Sequence, residues 1–166
     1  MSASLVSLAS LLDAFESMTP EIRLAAIIAR DGKLLLIRHQ KKSARYWVLP
    51  GGRLQGGETL KAGLKRELRE ELGLRSVDVG RLVIVCETLA PDRNVVNLIY
   101  EAEIGEGRPQ LDRSDPILAG MDWVPVSRLA ELDFRPPIVP TVTEVIAGNF
   151  AGPVRLLGDT WTPVRS

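Results

Sequence analysis

A chain of 166 residues, 45% of them hydrophobic, has the length and apolar content of one domain with a buried core. Its 21 basic and 21 acidic residues cancel, so bulk charge provides no basis for binding nucleic acid or a membrane surface. The single cysteine, Cys86, excludes an internal disulfide and fits a reducing, cytoplasmic location.

The first twenty residues carry apolar side chains at helical spacing, among them Leu5, Leu8 and Leu12. A signal peptide is disfavoured because the segment has no basic start and serines interrupt its apolar run. We therefore predict an amphipathic helix or extension over residues 1–20, packed on the domain or on a second subunit. No stretch reaches the ~18 apolar residues that a membrane-spanning helix needs.

Two aliphatic runs follow, at residues 24–29 and 33–38. Asp31-Gly32 between them is a hairpin turn signal, which predicts two paired strands. The polar stretch over residues 39–47 is predicted to be a loop, and residues 47–49 a short strand.

Positive charge gathers in this polar stretch and just before it, at Arg38, Lys41, Lys42 and Arg45. These side chains either bind the phosphates of a ligand or simply keep a loop soluble, and the sequence leaves both readings open. We mark Arg38 and Arg45 as candidate phosphate-binding residues. His39, the one histidine, is more typical of a structural position than of a catalytic one.

The most informative segment, residues 52–74, reads GRLQGGETLKAGLKRELREELGL. Its glycines, together with Gly51, permit the backbone to approach a ligand closely. Leucines at positions 60, 64, 68 and 72 predict an amphipathic helix, and Gly73 is a suitable residue to end it.

Three glutamates of this helix, Glu67, Glu70 and Glu71, stand at i, i+3 and i+4 and so share a sector of roughly 100°. Like charges at this spacing destabilise a helix by a few tenths of a kcal/mol per pair. Either nearby lysines and arginines pair with them on a solvated surface, or a divalent cation offsets the repulsion. The glycine segment in front favours the cation, and oxygen ligands suit Mg²⁺ or Mn²⁺.

The segment resembles the Nudix box, whose pattern is G-x5-E-x7-R-E-U-x-E-E-x-G-U with U a bulky aliphatic residue. Every defined position matches, at Gly52, Glu58, Arg66-Glu67-Leu68, Glu70-Glu71 and Gly73-Leu74. The resemblance implies a mixed α/β fold, an α/β/α sandwich with a mixed central β-sheet. It places the hydrolase domain at residues 21–150, between the N-terminal extension and a C-terminal tail at residues 151–166.

The resemblance also implies roles for individual residues. The metal-binding positions match Glu67, Glu70 and Glu71, and the carbonyl of Gly51 is a candidate further ligand. Glu58 matches the outlying glutamate that supports the metal site, and Arg66 matches the arginine that orients the glutamates by ion pairing. The implied cofactor is Mg²⁺ or Mn²⁺.

Strands and turns dominate the remaining chain. The predicted elements are strands at residues 77–88, 95–104 and 121–126, a short helix that Ser127 caps, and a last helix at residues 139–147. Cys86 is predicted to be a buried small hydrophobe. The tail, which contains Trp161, is either a dimer arm or a strap across the fold.

The general base is left open by the sequence. It is either a glutamate of the box or an acid outside it, and we favour Asp115 in the turn-rich loop over residues 105–120. The rivals outside the box are Asp112, Glu101 and Glu103.

The resemblance implies metal-dependent hydrolysis of a diphosphate linkage in a small nucleoside diphosphate derivative. The N-terminal extension and long C-terminal part favour ADP-ribose or another nucleotide sugar, and a possible homodimer. Dinucleoside polyphosphates and nucleoside triphosphates are the alternatives. A nucleotide-binding sensor without catalysis is a third possibility, against which the intact box argues.

Overall fold

The computed structural model describes residues 19–41 and 43–163 of the chain. The predicted N-terminal helix lies almost wholly outside these residues. The described chain contains, in order, β1 (Glu21–Ile27), β2 (Ala29–Arg30), β3 (Lys33–Lys41), β4 (Ala44–Val48), β5 (Gly51–Arg53), α1 (Leu60–Leu72), β6 (Val77–Ala90), β7 (Arg93–Ile104), β8 (Leu118–Pro125), a 3-10 helix (Val126–Glu131), β9 (Phe134–Arg135), α2 (Val139–Ala147) and β10 (Arg155–Asp159).

The strands form two mixed sheets. The first has the order β10-β6-β7-β1-β5, in which β1 runs parallel to β7 and antiparallel to β5. The second has the order β2-β3-β4-β9, and β8 pairs with β3 as an additional strand. The predicted mixed α/β fold with mixed sheets is thereby confirmed.

Strand β1 separates two apolar clusters, because successive side chains of a strand point to opposite faces. Leu24 and Ala26 belong to one cluster, and Ala25 and Ile27 to the other. Helix α1 contributes to the first cluster the fully buried residues Leu64, Leu68 and Leu72. The 3-10 helix and α2 contribute to the second Leu129, Val142 and Val145. Helices therefore cover both faces of the strands.

The leucine stripe explains why α1 forms despite its acidic surface. Burying one leucine side chain contributes about 1.5–3 kcal/mol, which exceeds the repulsion of a few tenths of a kcal/mol between neighbouring glutamates. The Thr59 hydroxyl accepts a hydrogen bond from the Ala62 N–H at 3.3 Å and caps the start of the helix. Gly73 follows its end in a left-handed conformation, as predicted.

The structure corrects two local predictions. The stretch at residues 39–47 is not a loop, because β3 continues to Lys41 and pairs with β4, and His39 stands opposite Tyr46. Ser127 caps no helix, since the 3-10 helix begins at Val126 without a side-chain cap. Beyond residue 150 the chain adds β10 to the first sheet beside β6. The predicted boundary at that residue stays a prediction.

Cys86 is fully buried, as predicted, and burial raises the pKa of its thiol to about 11. None of the helices in the described part of the chain is long and apolar enough to cross a membrane.

Candidate active site

The glycine segment before α1 includes the short strand β5, and two glutamates of α1 contact its backbone. Gly51 pairs with Ala25 of β1 and has φ +138°, a value that side-chain-bearing residues rarely adopt. A Cβ atom there would lie 2.1 Å from the Leu24 carbonyl oxygen. The N–H of Gly51 donates a hydrogen bond of 2.9 Å to Oε2 of Glu71. The segment therefore holds the end of α1 through a carboxylate.

The neighbouring glycine makes room for a second carboxylate. A Cβ atom on Gly52 would stand 2.2 Å from Oε2 of Glu67, so this carboxylate lies directly against the Gly52 backbone. Because only glycine permits this approach, the box pattern of glycine followed by helix acids has a steric basis here.

Arg66 holds the other acids together. Its guanidinium donates to both carboxylate oxygens of Glu58, at 2.6 and 3.0 Å, and to Glu67 at 2.7 Å and Glu70 at 3.0 Å. A further bond of 3.0 Å reaches the Arg53 carbonyl in β5. The hydrogen bonds from Arg66 lower the pKa of Glu58, and those to Glu58 raise the pKa of Arg66. Arg66 thus links the loop, the strand and the helix.

Glu71 is the electrostatically unusual member of this group. Burial raises its pKa to about 7, with smaller contributions from the negative charges of Glu67 and Asp115. The Gly51 hydrogen bond and the positive charge of Arg23 act in the opposite direction. A bound cation would favour the ionised form of this partly buried carboxylate, because the cation would offset the two neighbouring negative charges.

The donor set fits a hard divalent cation in chemistry, since Glu67, Glu70 and Glu71 offer only oxygen. These side chains do not form a preorganised metal site. Within residues 19–41 and 43–163, no three His, Cys, Asp or Glu residues converge closely enough to hold a metal ion. Glu67 and Glu70 bond to Arg66, and Glu71 to Gly51. Metal binding at these glutamates would therefore exchange bonds to Arg66 for bonds to the ion.

A cavity of about 450 Å³ has Arg23 and Asn97 in its lining, whereas the glutamates of α1 are not among its lining residues. Arg23 and His39 line it, and the charge of Arg23 acts on both Glu71 and His39. Asp115 likewise acts on both groups, and its Oδ1 accepts the N–H of Ile117, another lining residue, at 2.8 Å. Arg23 therefore lines the cavity and also acts electrostatically on Glu71 of α1.

The predicted phosphate-binding arginines lie apart from this arrangement. Arg38 points to the face of β3 opposite His39, where it lies 5.7 Å from the centre of the Trp47 ring and donates to the Ala119 carbonyl at 3.1 Å. Arg45 bonds to Gln40 at 3.1 Å in an exposed position. Neither lines the cavity, so their substrate role stays a prediction without a supporting contact.

The rival acids are engaged elsewhere. Asp112 accepts hydrogen bonds of 2.8 Å from both the N–H and the hydroxyl of Ser114. Glu101 accepts the N–H of Arg81 at 2.9 Å, and Glu103 is exposed on β7 opposite Asp78. Of the acids considered outside the box, only Asp115 contributes to the raised pKa of Glu71.

Sequence reasoning missed Arg23 and Asn97 as site residues. Asn97 is almost fully buried on β7, lines the cavity and stands opposite Arg23 in the parallel pairing of β1 and β7. Its amide donates to the Thr88 hydroxyl at 3.3 Å. The sequence signal that could have identified both residues is a single charged or amide side chain within an aliphatic strand. Burying such a side chain costs free energy unless it forms hydrogen bonds.

We expect His39 to make stability depend on pH. Burial and the charge of Arg23 lower its pKa from 6.5 to about 4, against an opposing effect of Asp115. Between these values the unfolded chain binds a proton that the folded chain does not, so the free energy of unfolding should fall as pH drops from 6.5 towards 4. The ring is partly exposed, and the expected loss is about 1–2 kcal/mol.

Urea unfolding at pH 7 and pH 4.5 measures this loss. Because carboxylates titrate too, the informative quantity is the comparison with His39→Gln, which should lose about 1–2 kcal/mol less over the same interval. Equal losses in the two proteins would show that His39 is not the group responsible.

The fold belongs to a known class. The chain is a member of the Nudix family, because the family model described as NUDIX domain matches residues 19–145. It is therefore a hydrolase of acid anhydrides, a Nudix pyrophosphohydrolase, as the sequence predicted. Nudix hydrolases generally use divalent metal ions.

Two relatives and one solved structure illustrate the similarity. A Mycobacterium tuberculosis H37Rv protein, provisionally named 8-oxo-dGTP diphosphatase 2, is 31% identical over 120 residues, which cover 67% of this chain and 85% of that protein. The CTP pyrophosphohydrolase of Escherichia coli K12 is 46% identical over 61 residues, covering 36% and 44%. The solution structure of the E. coli ORF135 protein is 27% identical with a TM-score of 0.66, covering 83% and 96%.

Proposed function

We propose that this enzyme hydrolyses nucleoside triphosphates to a nucleoside monophosphate and pyrophosphate, with Mg²⁺ or Mn²⁺ as cofactor. The observation that carries the proposal is the cavity that Arg23 lines, because β1, which bears Arg23, pairs with β5, and the Gly51 N–H of β5 donates to Glu71. A base and sugar in the cavity would direct the phosphates past Arg23 towards the acidic side of α1.

This substrate class differs from the nucleotide sugar that the sequence favoured. Ligand pockets range over about 300–1,000 Å³, and a cavity of about 450 Å³ at the lower end suits one nucleoside. A nucleotide sugar or a dinucleoside polyphosphate has a second bulky group that this cavity would not hold. The names of the two relatives, which refer to 8-oxo-dGTP and CTP, support the same choice.

The residues have distinct roles in this proposal. Glu67, Glu70 and Glu71 would hold the divalent cation, which neutralises phosphate charge and acidifies water when it is bound. Arg66 and Glu58 position the glutamates through the hydrogen bonds described above. The water oxygen forms a bond to one phosphorus of the bridge between the α- and β-phosphates, the bond from that phosphorus to the bridging oxygen breaks, and the water proton passes to a base. Asp115 is our candidate, because its charge acts on both Glu71 and the cavity residue His39.

We expect Asp115→Asn to lower kcat by about 10²-fold or more while changing KM little, since general-base catalysis contributes typically about 10²–10⁴-fold. An asparagine can still accept the Ile117 N–H, so the loop should keep its shape. Asp112→Asn is the matched control, because Asp112 forms a similar turn with Ser114 in the same loop. If kcat is unchanged in Asp115→Asn, the base is a glutamate of the box instead.

A substrate panel tests the proposed function directly. CTP, GTP and 8-oxo-dGTP, ADP-ribose and diadenosine polyphosphates are incubated with Mg²⁺ or Mn²⁺, and monophosphate and pyrophosphate are quantified. The proposal requires the highest kcat/KM for a triphosphate, with pyrophosphate as the second product. A higher value for ADP-ribose would restore the nucleotide-sugar prediction. A cytoplasmic location and a homodimer stay predictions.

A further inference from the structure

One wall of the cavity is formed by Thr160, Trp161 and Thr162, close to the end of the described chain. The N–H and hydroxyl of Thr160 donate to the Glu87 carbonyl at 2.9 and 2.7 Å. Oδ1 of Asp159 accepts the N–H of Leu89 and that of Trp161, both at 2.9 Å. These bonds fasten the segment to the end of β6, so its backbone has a defined position beside the cavity.

Arg135 fastens the same segment from the other side. Its Nη1 donates to the Thr162 carbonyl at 2.9 Å and also to the Thr162 hydroxyl, and its Nη2 reaches the Pro163 carbonyl at 3.4 Å. Asp133 orients the guanidinium through a bond of 2.6 Å to Nε. Arg135 is itself a lining residue of the cavity, so the wall and its attachment are continuous.

Trp161 sits between these two attachments and lines the cavity, with 38% of its surface exposed. An indole ring held at this exposure presents apolar surface for a ligand to cover. Pro136, Pro137 and Val95 supply further apolar lining, whereas Asn97 supplies a buried polar group. A cavity with apolar walls and one polar group suits a planar heterocycle with hydrogen-bonding groups at its edge.

The positive side chains of the cavity indicate what the heterocycle carries. Arg23, Lys41, Arg93 and Arg135 line it, against one acid, Asp92. This excess of positive charge favours a ring attached to phosphate over a neutral ring. The lining therefore matches the base of a nucleotide whose phosphates continue towards α1.

We propose that Trp161 stacks on the nucleobase of the substrate and is a specificity-determining residue, and that Arg135 is a positioning residue that holds it there. The inference rests on the proposed function, because it names the part of the nucleoside triphosphate that the cavity takes. The C-terminal segment is on this view a strap that completes the substrate site.

Calorimetric binding of GMP and CMP in EDTA tests the contact without metal or turnover. Stacking of one base on an aromatic side chain corresponds to roughly 5–150-fold in affinity. We expect at least one of the two monophosphates to bind wild type and Trp161→Ala to weaken that binding about 10-fold or more. Leu156→Ala is the control, because Leu156 is highly exposed on β10 and does not line the cavity.

Trp161→Phe separates a contact from a structural role. Phenylalanine also stacks, so affinity should stay within about 3-fold of wild type, while the nucleotide-induced change in tryptophan fluorescence should disappear. Persistence of the full fluorescence change in this variant would overturn the assignment, since the signal would then arise at another tryptophan. Unweakened binding in Trp161→Ala would overturn it as well.

Arg135→Ala tests the positioning role. Releasing the strap should raise KM for the triphosphate about 10-fold and leave kcat within about 2-fold, with Arg135→Lys partly restoring KM. Equal losses in kcat and kcat/KM would contradict a role limited to binding the base.

The outcomes for the two proposals are distinguishable. Monophosphate binding that depends on Trp161, combined with no turnover of any triphosphate, would support the base site and refute the proposed substrate. Triphosphate turnover with a normal KM in Trp161→Ala would refute the base site and leave the proposed substrate standing. If neither monophosphate binds wild type, the base assignment is wrong.

Discussion

Glu71→Gln should lower kcat by about 10³-fold at pH 8 with little change in stability. A glutamine keeps the oxygen that accepts the Gly51 N–H at 2.9 Å, so β5 and α1 should stay connected. It removes a charge that burial already disfavours, as the raised pKa of about 7 shows. What is lost is the negative charge for a divalent cation, and 10³-fold corresponds to about 4 kcal/mol of transition-state stabilisation.

The measurement is steady-state turnover of the best substrate of the panel at saturating Mg²⁺, together with urea unfolding. Glu131→Gln is the matched control, since Glu131 is an exposed glutamate paired with Arg128 at 3.0 Å and lies outside the site. It should retain wild-type kcat. A Glu71→Gln enzyme with near-normal kcat would remove Glu71 from the proposed metal ligands.

Gly51→Ala should be the most destabilising single substitution in the glycine segment, with a loss of about 3 kcal/mol or more in the free energy of unfolding. The new Cβ would lie 2.1 Å from the Leu24 oxygen and 2.8 Å from the Ala25 Cα, both backbone atoms of β1 that cannot move without disturbing the sheet. Backbone strain at φ +138° adds about 1–3 kcal/mol. For a chain of this length the melting temperature should fall by roughly 6–12 °C.

Gly32→Ala distinguishes the effect of backbone strain from that of a steric clash. Gly32 also has positive φ, +71°, but a Cβ there would meet nothing within 4 Å. Its substitution should therefore cost only about 1 kcal/mol. If the two variants lose equal stability, the close approach of Gly51 to β1 contributes nothing and the steric account of the segment fails.

Local sequence was sufficient for the helix of the box. The leucine spacing and Gly73 at its end act within one or two turns, and α1 begins and ends where they indicate. The acids of the box were recognisable for the same reason, because their pattern also lies within a short stretch of sequence. It did not reveal that the Gly51 N–H donates to Glu71, because that contact depends on how β5 docks against the helix.

Sequence-based predictions missed strands in places where the local composition is polar but the chain pairs with a neighbouring strand. Residues 39–47 are polar and were predicted as a loop, yet cross-strand partners in β3 and β4 make them a hairpin. Part of the tail, for which the sequence predicts an arm or a strap, pairs with β6 as a strand, a detail that composition does not indicate. In both places hydrogen bonds to a partner strand outweigh weak local preferences.

By itself, the sequence determined the family, the amphipathic helix and the set of carboxylates, because these reside in a pattern of fixed spacing over 23 consecutive residues. Only the tertiary structure decided the surroundings of those carboxylates. Arg23 and Asn97 lie opposite each other because β1 and β7, which are far apart in sequence, pair in the sheet. Trp161 reaches the same cavity because its segment is bonded to β6, through the hydrogen bond from Leu89 to Asp159, 70 residues away. Such contacts form only when distant strands pair, so no local pattern encodes them.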